Sequence, residues 1–410
     1  EHEEEIERIR LDSRRQNYRA DWGLKNLRGF LDNFSLKLNY TDWNHKEIEV
    51  FEDGETAVGT RFDQNQFVYR GVFEQQKRGA LTGRFGFWGI DREFEATGEE
   101  ALAPPVDQKG FAVFALEELD FERVKFQFGG RLETNRYRPA VAERGGGQDE
   151  EIPDAVDRNF AGASAAAGLN AKLWTNGAFV ANYAHSYRAP ALEELYNFGP
   201  HVGNLAFEIG RPDLRAETGN GVDVSLRHRD ERVRGEVNLF YYDFRNFIFP
   251  FATGEEADGL QVIEFTQRNA RFTGAEVLAG VAVAPGFWMN AGLDYVDAQD
   301  TDTRTPLPRI PPLRGKIGVE YMRGGFRFEP RLILAAQQHQ TFTGETRTPG
   351  YAAVDLNTSY TWARTHVAHQ ISANVFNVGD RLYRNHSSFI KDLAPEIGRG
   401  VRFTYMVRFF

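Results

Sequence analysis

Strict alternation of apolar and polar residues, recurring from one end of the chain to the other, constrains the fold more than any other feature. It is plainest in the last segment, Gly400 to Phe410. Val401, Phe403, Tyr405, Val407 and Phe409 share one face there, and Arg402, Thr404, Met406 and Arg408 share the other. A period of two marks a β-strand whose two faces meet different surroundings. A terminal strand with an apolar, aromatic face suits a barrel closed in a lipid bilayer, whereas in water it would leave an adhesive edge. Phe410 falls off the alternation. The same period runs through Arg123 to Leu132, where Val124, Phe126, Phe128, Gly130 and Leu132 alternate with Arg123, Lys125, Gln127, Gly129 and Arg131. It returns at Val222, Val224 and Leu226, and again at Val233, Gly235, Val237, Leu239 and Tyr241. None of these segments has the apolar spacing of three and four that a helix requires.

Composition is compatible with that reading. The 410 residues are 41% hydrophobic and 26% charged, and the mean hydropathy of −0.51 taken alone reads as soluble. No run approaches the ~18 apolar residues of a transmembrane helix. A barrel escapes that test, because only alternate residues face lipid and the average stays polar. The 34 Phe and 15 Tyr supply aromatic girdles, and the 40 Gly fit bends and close strand contacts. Absence of cysteine fits a bacterial envelope protein. A net charge of −10 provides no basic field for phosphates and argues against a nucleic-acid partner. The opening EHEEEIERIR is neither a charged n-region nor an apolar h-region, so no signal peptide is visible.

Short turns at Gln76–Gly79, Leu119-Asp120, Arg229–Glu231, Ala284–Gly286 and Arg323–Gly325 alternate with long polar links near 44–60, 92–106, 138–157, 188–216, 248–260, 300–312, 341–349 and 380–399. Segregation of loop length by end is the pattern of an outer-membrane barrel, with turns at the periplasm and loops outside. We count roughly 17 strands in one continuous domain, 1–410, and bacterial single-chain barrels have even strand numbers. By parity the first strand, Arg8 to Trp22, runs inward, so the expectation is that the amino-terminal part of the barrel is missing. Pro330 inside Phe326–Leu334 predicts a bulge there.

Specific segments sharpen the picture. Tyr187-Arg188-Ala189-Pro190-Ala191-Leu192-Glu193-Glu194-Leu195-Tyr196 resembles the "RAP..EEL" segment of TonB-dependent outer-membrane receptors. Gly210-Arg211-Pro212-Asp213-Leu214-Arg215-Ala216-Glu217 is similar to their "NPDLKPE" segment. Asn269–Glu276, Asn374–Tyr383 and Ala394–Gly400 match further family segments, the last with a departure at the centre of its "PGR" motif. Glu194 to Gly203 and His386 to Pro395 resemble the zinc-uptake subgroup. The resemblance implies an all-β fold: an antiparallel transmembrane β-barrel of the type with about 22 strands, present as a carboxy-terminal portion with the plug domain absent. It also implies import of a scarce nutrient, energised by the TonB–ExbB–ExbD complex acting through that plug.

Locally, Pro190 ends its strand, and Ala191 to Asn197 reads as a short helix with Glu193 and Glu194 in its first turn, where the helix dipole favours acids. Arg188 is expected to pair with a lumenal or loop carboxylate, an arrangement more architectural than ligand-binding. Strand direction places His2, His45, His201, His339 and His386 near the outer loops, His228, His366 and His369 near the periplasmic turns, and His185 in the lipid-facing belt. Imidazole with carboxylate makes a good zinc set, and zinc takes about four ligands. The candidate metal residues are therefore His201, His386, His339 and Glu194, with Glu208 and Asp392 nearby. No HExxH or HxxxH spacing occurs among them. The cluster Glu1, Glu3, Glu4 and Glu5 around His2 reads as a solvated acidic loop, and Gly145-Gly146-Gly147 as a flexible one. No nucleophile elbow or catalytic carboxylate pair stands out, so no enzyme and no required cofactor is expected, with Zn entering only as a possible transported ligand. The expected function is TonB-energised uptake of zinc or another metal ion or metal complex. A siderophore, haem or cobalamin receptor and a passive porin-like barrel are the alternatives. Expected partners are the TonB complex, outer-membrane lipid, the barrel assembly machinery through the terminal strand, and the small ligand.

Overall fold

A computed structural model describes residues 6–98, 101–140, 155–201 and 205–410. The acidic run around His2, the Gly145–Gly147 run and Val202-Gly203 lie outside the described residues. The first eight strands are β1 (Ile6–Leu24), β2 (Leu31–Phe51), β3 (Thr56–Gln75), β4 (Leu81–Gly98), β5 (Val106–Phe121), β6 (Val124–Pro139), β7 (Arg158–Trp174) and β8 (Gly177–Arg188). A helix, α1 (Leu192–Tyr196), and two four-residue strands, β9 (Phe198–His201) and β10 (Ala206–Ile209), follow. The chain continues through β11 (Glu217–Arg229), β12 (Val233–Ala257), β13 (Leu260–Ala284), β14 (Phe287–Asp300), β15 (Arg314–Arg323), β16 (Phe326–Ala335), β17 (Tyr351–Arg364), β18 (Val367–Phe376) and β19 (Gly400–Phe409). Setting β9 and β10 aside from these 19 leaves 17 long strands among the described residues, the number read from the alternation. None of the described helices is long and apolar enough to cross a membrane.

The chain divides into two compact units. The first comprises Glu1–Ala167, Ala184–Asn220 and Phe244–Arg268. In it β1 to β6 form an antiparallel meander, each strand paired with the next. Tyr18, Tyr40, Phe67, Phe111 and Leu132 are exposed along one face. Glycines let rings lie flat across this sheet: a Cβ at Gly89 would stand 2.2 Å from the Tyr69 ring on the neighbouring strand. Buried apolar side chains gather instead under the loop that carries α1, where Leu192, Leu195, Tyr196 and Leu214 pack with Val106, Tyr137, Phe160 and Ile248.

The second unit comprises Gly168–Tyr183, Gly221–Asp243 and Asn269–Phe410. Here Ala270–Ala284 of β13 and the strands β14 to β19 again pair in sequence, all antiparallel. Phe287, Met289, Leu293 and Tyr295 of β14 are exposed beside Val281 and Val283 of β13 and Ile317 and Val319 of β15. The opposite face pairs its charges internally. Glu320 accepts Arg327 at 2.7 Å and Arg234 at 3.4 Å, and Glu329 accepts Arg327 at 2.9 Å and also Arg331. Each Leu or Phe left in water forgoes roughly 1.5–3 kcal/mol. A continuous apolar face without protein cover therefore calls for an apolar solvent.

Three expectations from the sequence need correction. The polar links 44–60 and 248–260 are mostly strand: β2 runs to Phe51, β3 starts at Thr56, and only Asp258-Gly259 separates β12 from β13. Polar side chains on both faces mark where a strand meets water, and the backbone goes on pairing beyond that level. The turn placed at Leu119-Asp120 falls at Glu122-Arg123. Pro330 makes no bulge, since β16 keeps one register with both neighbours. Its carbonyl faces Gly318 of β15, so the missing N–H costs one bond toward that strand without an inserted residue.

A paired substitution tests which face meets lipid. Leu293 is 47% exposed on the apolar face and Leu278, on β13, is 61% exposed on the opposite face. Leu293→Arg should lower refolding stability in lipid vesicles by about 2–4 kcal/mol, while Leu278→Arg changes it by less than about 1 kcal/mol. Equal losses would remove the distinction between the faces.

Candidate functional site

A guanidinium at the end of β8 gathers the first contacts of the loop that follows. Arg188 Nη1 donates to both carboxylate oxygens of Glu194, at 3.0 and 2.8 Å, and Nη2 donates to Glu217 at 3.1 Å. Glu194 also accepts the Ala191 backbone N–H at 2.8 Å, which closes the first turn of α1. Ala191 and Asn197 cap that helix, which lies one residue inside each limit the sequence predicts. Glu217, 8% exposed, takes the Ile248 N–H at 3.0 Å. Tyr137 donates to the Pro190 carbonyl at 2.9 Å, and Arg92 reaches Glu193 at 3.3 Å. Arg188 therefore plays the architectural role expected of it, and Glu194 is occupied by it.

Beyond α1 the chain forms a small hairpin. Strand β9 pairs with β10, and β10 adds in parallel to Gln261–Glu264 of β13. This fixes His201 against Glu208, with Nδ1 2.9 Å from Oε1. The second Glu208 oxygen accepts the Asn197 side-chain amide at 2.8 Å. The Glu208 hydrogen bond raises the His201 pKa above the ordinary 6.5 against the opposing effect of burial, and Glu47 adds to the pull. Glu47 sits on β2 two residues from His45, on the same strand face, and His45 Nε2 is 3.8 Å from its carboxylate. The His45 ring is fixed by stacking on Trp43 at 5.5 Å between centroids. Glu47 is thus shared electrostatically between His45, beside it on β2, and His201. Among the described residues, no three such groups already stand as a preformed metal cluster.

The second unit holds a separate polar knot. His386 is 2% exposed. Its Nδ1 lies 3.0 Å from Thr348 Oγ1 and 3.4 Å from Lys391 Nζ, and its Nε2 lies 3.3 Å from Glu345 Oε1. Glu345 accepts Lys391 at 3.1 Å and the backbone N–H groups of Arg309 and Phe342 at 2.9 and 3.1 Å. One carboxylate so joins the three loops between β14 and β15, β16 and β17, and β18 and β19. Burial opposes its ionisation. The His386 contact, the Phe342 N–H and the Lys391 ammonium outweigh that and hold the Glu345 carboxyl down to about 2. His386 lies in the second unit and His201 in the first. His339 is exposed, and Asp392 accepts the Thr346 hydroxyl at 2.7 Å. The structure therefore joins His201 to Glu208, gives Glu194 to Arg188 and gives His386 to the loop knot. Glu47 and Glu345 were not singled out from sequence. Glu47 carried a usable signal, two residues from a histidine in an alternating segment, whereas Glu345 meets its partners only through the fold.

The chain matches the family model described as "TonB dependent receptor-like, beta-barrel" over residues 4–378. Among solved structures it is similar to the copper transporter OprC, with 16% identity and a TM-score of 0.80 over 97% of this chain and 65% of that one. It is similar also to the FrpB iron transporter from Neisseria meningitidis (F3-3 variant), at 12% identity and TM-score 0.69, over 98% and 63% of the two chains. The Serratia marcescens hemophore receptor HasR, solved as a double mutant with its hemophore HasA and heme, gives 15% identity and TM-score 0.68, over 98% and 66%. The chain thus spans about two thirds of the length of these structures, and shares their fold.

Two measurements check the loop anchors. Arg188→Met strands two carboxylates, one of them buried. It should cost about 2 kcal/mol in unfolding, below the value for a fully buried pair because the guanidinium is 40% exposed. The 188–216 loop should also become protease-sensitive. Glu345, depressed from 4.5 to about 2, contributes stability that is complete above pH ~4.5 and declines as pH falls toward 2. Limited proteolysis of the 336–350 loop should stay slow from pH 7 to about 5 and accelerate below, and Glu345→Gln should remove that dependence.

Proposed function

The chain belongs to the TonB-dependent receptor-like β-barrel family, and from that premise we propose that it acts as an outer-membrane receptor of a Gram-negative bacterium. Its cargo in this reading is a scarce metal, taken as the ion or as a small metal complex, with zinc the first candidate. The energy comes from TonB, ExbB and ExbD acting through a plug. Outer-membrane lipid solvates the apolar face, and the terminal strand Gly400–Phe409 addresses the barrel assembly machinery.

One observation supports the metal reading: the His201–Glu208 pair at 2.9 Å, with Glu47 adding its charge. Imidazole and carboxylate together are the borderline donors that suit zinc, and His201 is the member with both a carboxylate partner and partial access to water. His386, His339 and Glu194 rank behind it, since Glu194 and His386 already serve loop contacts. A metal must displace the His201 proton, and that proton is held above the ordinary histidine range. Affinity should therefore fall as pH drops through that raised value.

The test is isothermal titration of the purified protein with Zn²⁺ at pH 8 and pH 6, with His201→Ala and Glu47→Gln beside the wild type. The reading predicts at least tenfold weaker binding at pH 6 and in each variant at pH 8. Unchanged affinity in His201→Ala removes His201 from the site. Radioactive zinc uptake by cells with and without TonB addresses transport, and uptake indifferent to TonB would favour the passive barrel. Binding of a siderophore, haem or cobalamin without Zn²⁺ affinity would select those alternatives.

A further inference from the structure

The short turns at one end of β1 to β4 carry charge of a single sign. Leu24–Leu31, between β1 and β2, contains Lys25 and Arg28, and Gln75–Leu81, between β3 and β4, contains Lys77 and Arg78. Neither segment holds an acid. At the other end of the same strands the β2–β3 turn holds Glu52, Asp53 and Glu55 and no cation. Hydrogen bonds draw the two basic turns together. Gln76 donates its backbone N–H to the Phe30 carbonyl at 2.8 Å and its side-chain amide to the Leu27 carbonyl at 3.0 Å. Arg78 Nη2 donates to the Gly29 carbonyl at 3.3 Å. Four cations are thereby gathered at one corner of the sheet.

All four are exposed, and among the described residues none meets a carboxylate within ion-pair distance. The acids nearest in sequence are engaged elsewhere. Asp21 faces Lys37 at 4.0 Å, and Asp32 and Glu74 each accept from the Asn33 side-chain amide, at 3.0 and 2.9 Å. Next to the turns lies a ladder of rings. Register sets Phe34 beside Phe73 and Phe73 beside Phe85, with centroids 4.5 and 5.2 Å apart. Trp22 flanks Phe34 at 5.9 Å, and Phe30, from the first turn itself, stacks on Phe85 at 6.3 Å. Trp22 and Phe73 fall an even number of residues from Tyr18 and Phe67, so the ladder belongs to the apolar face. Like charges held beside such a face are complementary to an anion that itself carries apolar chains.

We propose that this corner binds the headgroup of an anionic phospholipid. Lys25, Arg28, Lys77 and Arg78 take the phosphate oxygens, and the rings of Trp22, Phe30, Phe34 and Phe73 bear the first part of the acyl chains. Exposed lysines and arginines hold a small free ion weakly, because salt screens them. A lipid already seated on the apolar face brings its phosphate to the level of the turns. Phosphate suits both cation types, arginine by a two-pronged contact and lysine as a point charge. The inference rests on the apolar face being lipid-facing and is independent of His201 and of any cargo. It adds a selection among lipids, which contact with acyl chains alone does not make.

The test reconstitutes the full chain, with Trp22 as its one tryptophan, into phosphatidylcholine vesicles containing phosphatidylglycerol brominated near the glycerol end of its chains. A single lysine or arginine near an anionic surface confers about a fivefold preference, so phosphatidylglycerol should displace phosphatidylcholine beside Trp22 with a relative association constant of about five or more. Combining Lys25→Gln, Arg28→Gln, Lys77→Gln and Arg78→Gln should bring that constant to about one, while Arg28→Lys with Arg78→Lys should preserve it. Brominated phosphatidylcholine alone should quench Trp22 equally in every variant; its failure to quench would overturn the lipid-facing reading and the site with it. Native mass spectrometry of the chain with all six tryptophans gives a second readout. Phosphatidylglycerol should survive detergent exchange better than phosphatidylcholine and lose that advantage in the Gln variant. A constant near one before substitution, a constant unchanged in the Gln variant, or loss of the preference to inorganic phosphate at matched ionic strength would each overturn the assignment.

Discussion

Side chains such as Tyr18, Tyr40 and Phe67 in the first unit, and Leu293, Ile317 and Tyr360 in the second, are exposed along one face of their strands. Among the described residues no second sheet is packed on them, and in water each would cost part of the free energy that folding gains elsewhere. The arrangement is stable only if hydrocarbon takes the place of protein. Lipid in turn admits no unpaired backbone at its own depth, which is met by the antiparallel ladders that link each strand to the next. Burial then concentrates where loops fold back, as around Leu192, Leu195 and Leu214.

With one face given to lipid, the other face and the loops carry the chemistry. The two faces differ in how they treat charge. On the polar face of the second unit, Arg234, Glu320, Arg327 and Glu329 neutralise one another along neighbouring strands. Above the strands, single side chains hold whole loops, Arg188 in the first unit and Glu345 in the second. These anchors resemble binding sites in composition, since both gather acids and bases in a small volume. Their mutual satisfaction marks them as structural anchors.

Much of this was readable from residue order. Alternation gave the number of long strands, and Pro190 followed by Glu193 and Glu194 placed α1 to within one residue at each end. The turns at Gln76–Gly79 and Ala284–Gly286 fell where glycine and proline put them. Loop lengths were less legible, because at 44–60 and 248–260 polarity reports the water level and not the end of pairing. Pro330 misled for a related reason: a missing donor was read as an inserted residue. Among the site residues, His201 could be singled out, but its partners could not all be. Glu208 lies seven residues away across a hairpin, whereas Glu47 comes from a strand far earlier in the chain. Glu345, His386 and Lys391 meet only because three separate loops converge, and no local pattern encodes that.

Tryptophans lie on both faces and allow the solvent of each to be read directly. Trp22 and Trp362 share faces with the exposed Tyr18 and Tyr360, while Trp88 and Trp288 lie under arginines on the polar side. The decisive measurement is fluorescence quenching of single-tryptophan variants reconstituted in vesicles of brominated phospholipid. Strong quenching at positions 22 and 362 with little at 88 and 288 is the predicted result. Equal quenching at all four, or a well-behaved detergent-free monomer with every tryptophan shielded, would contradict the two-faced account.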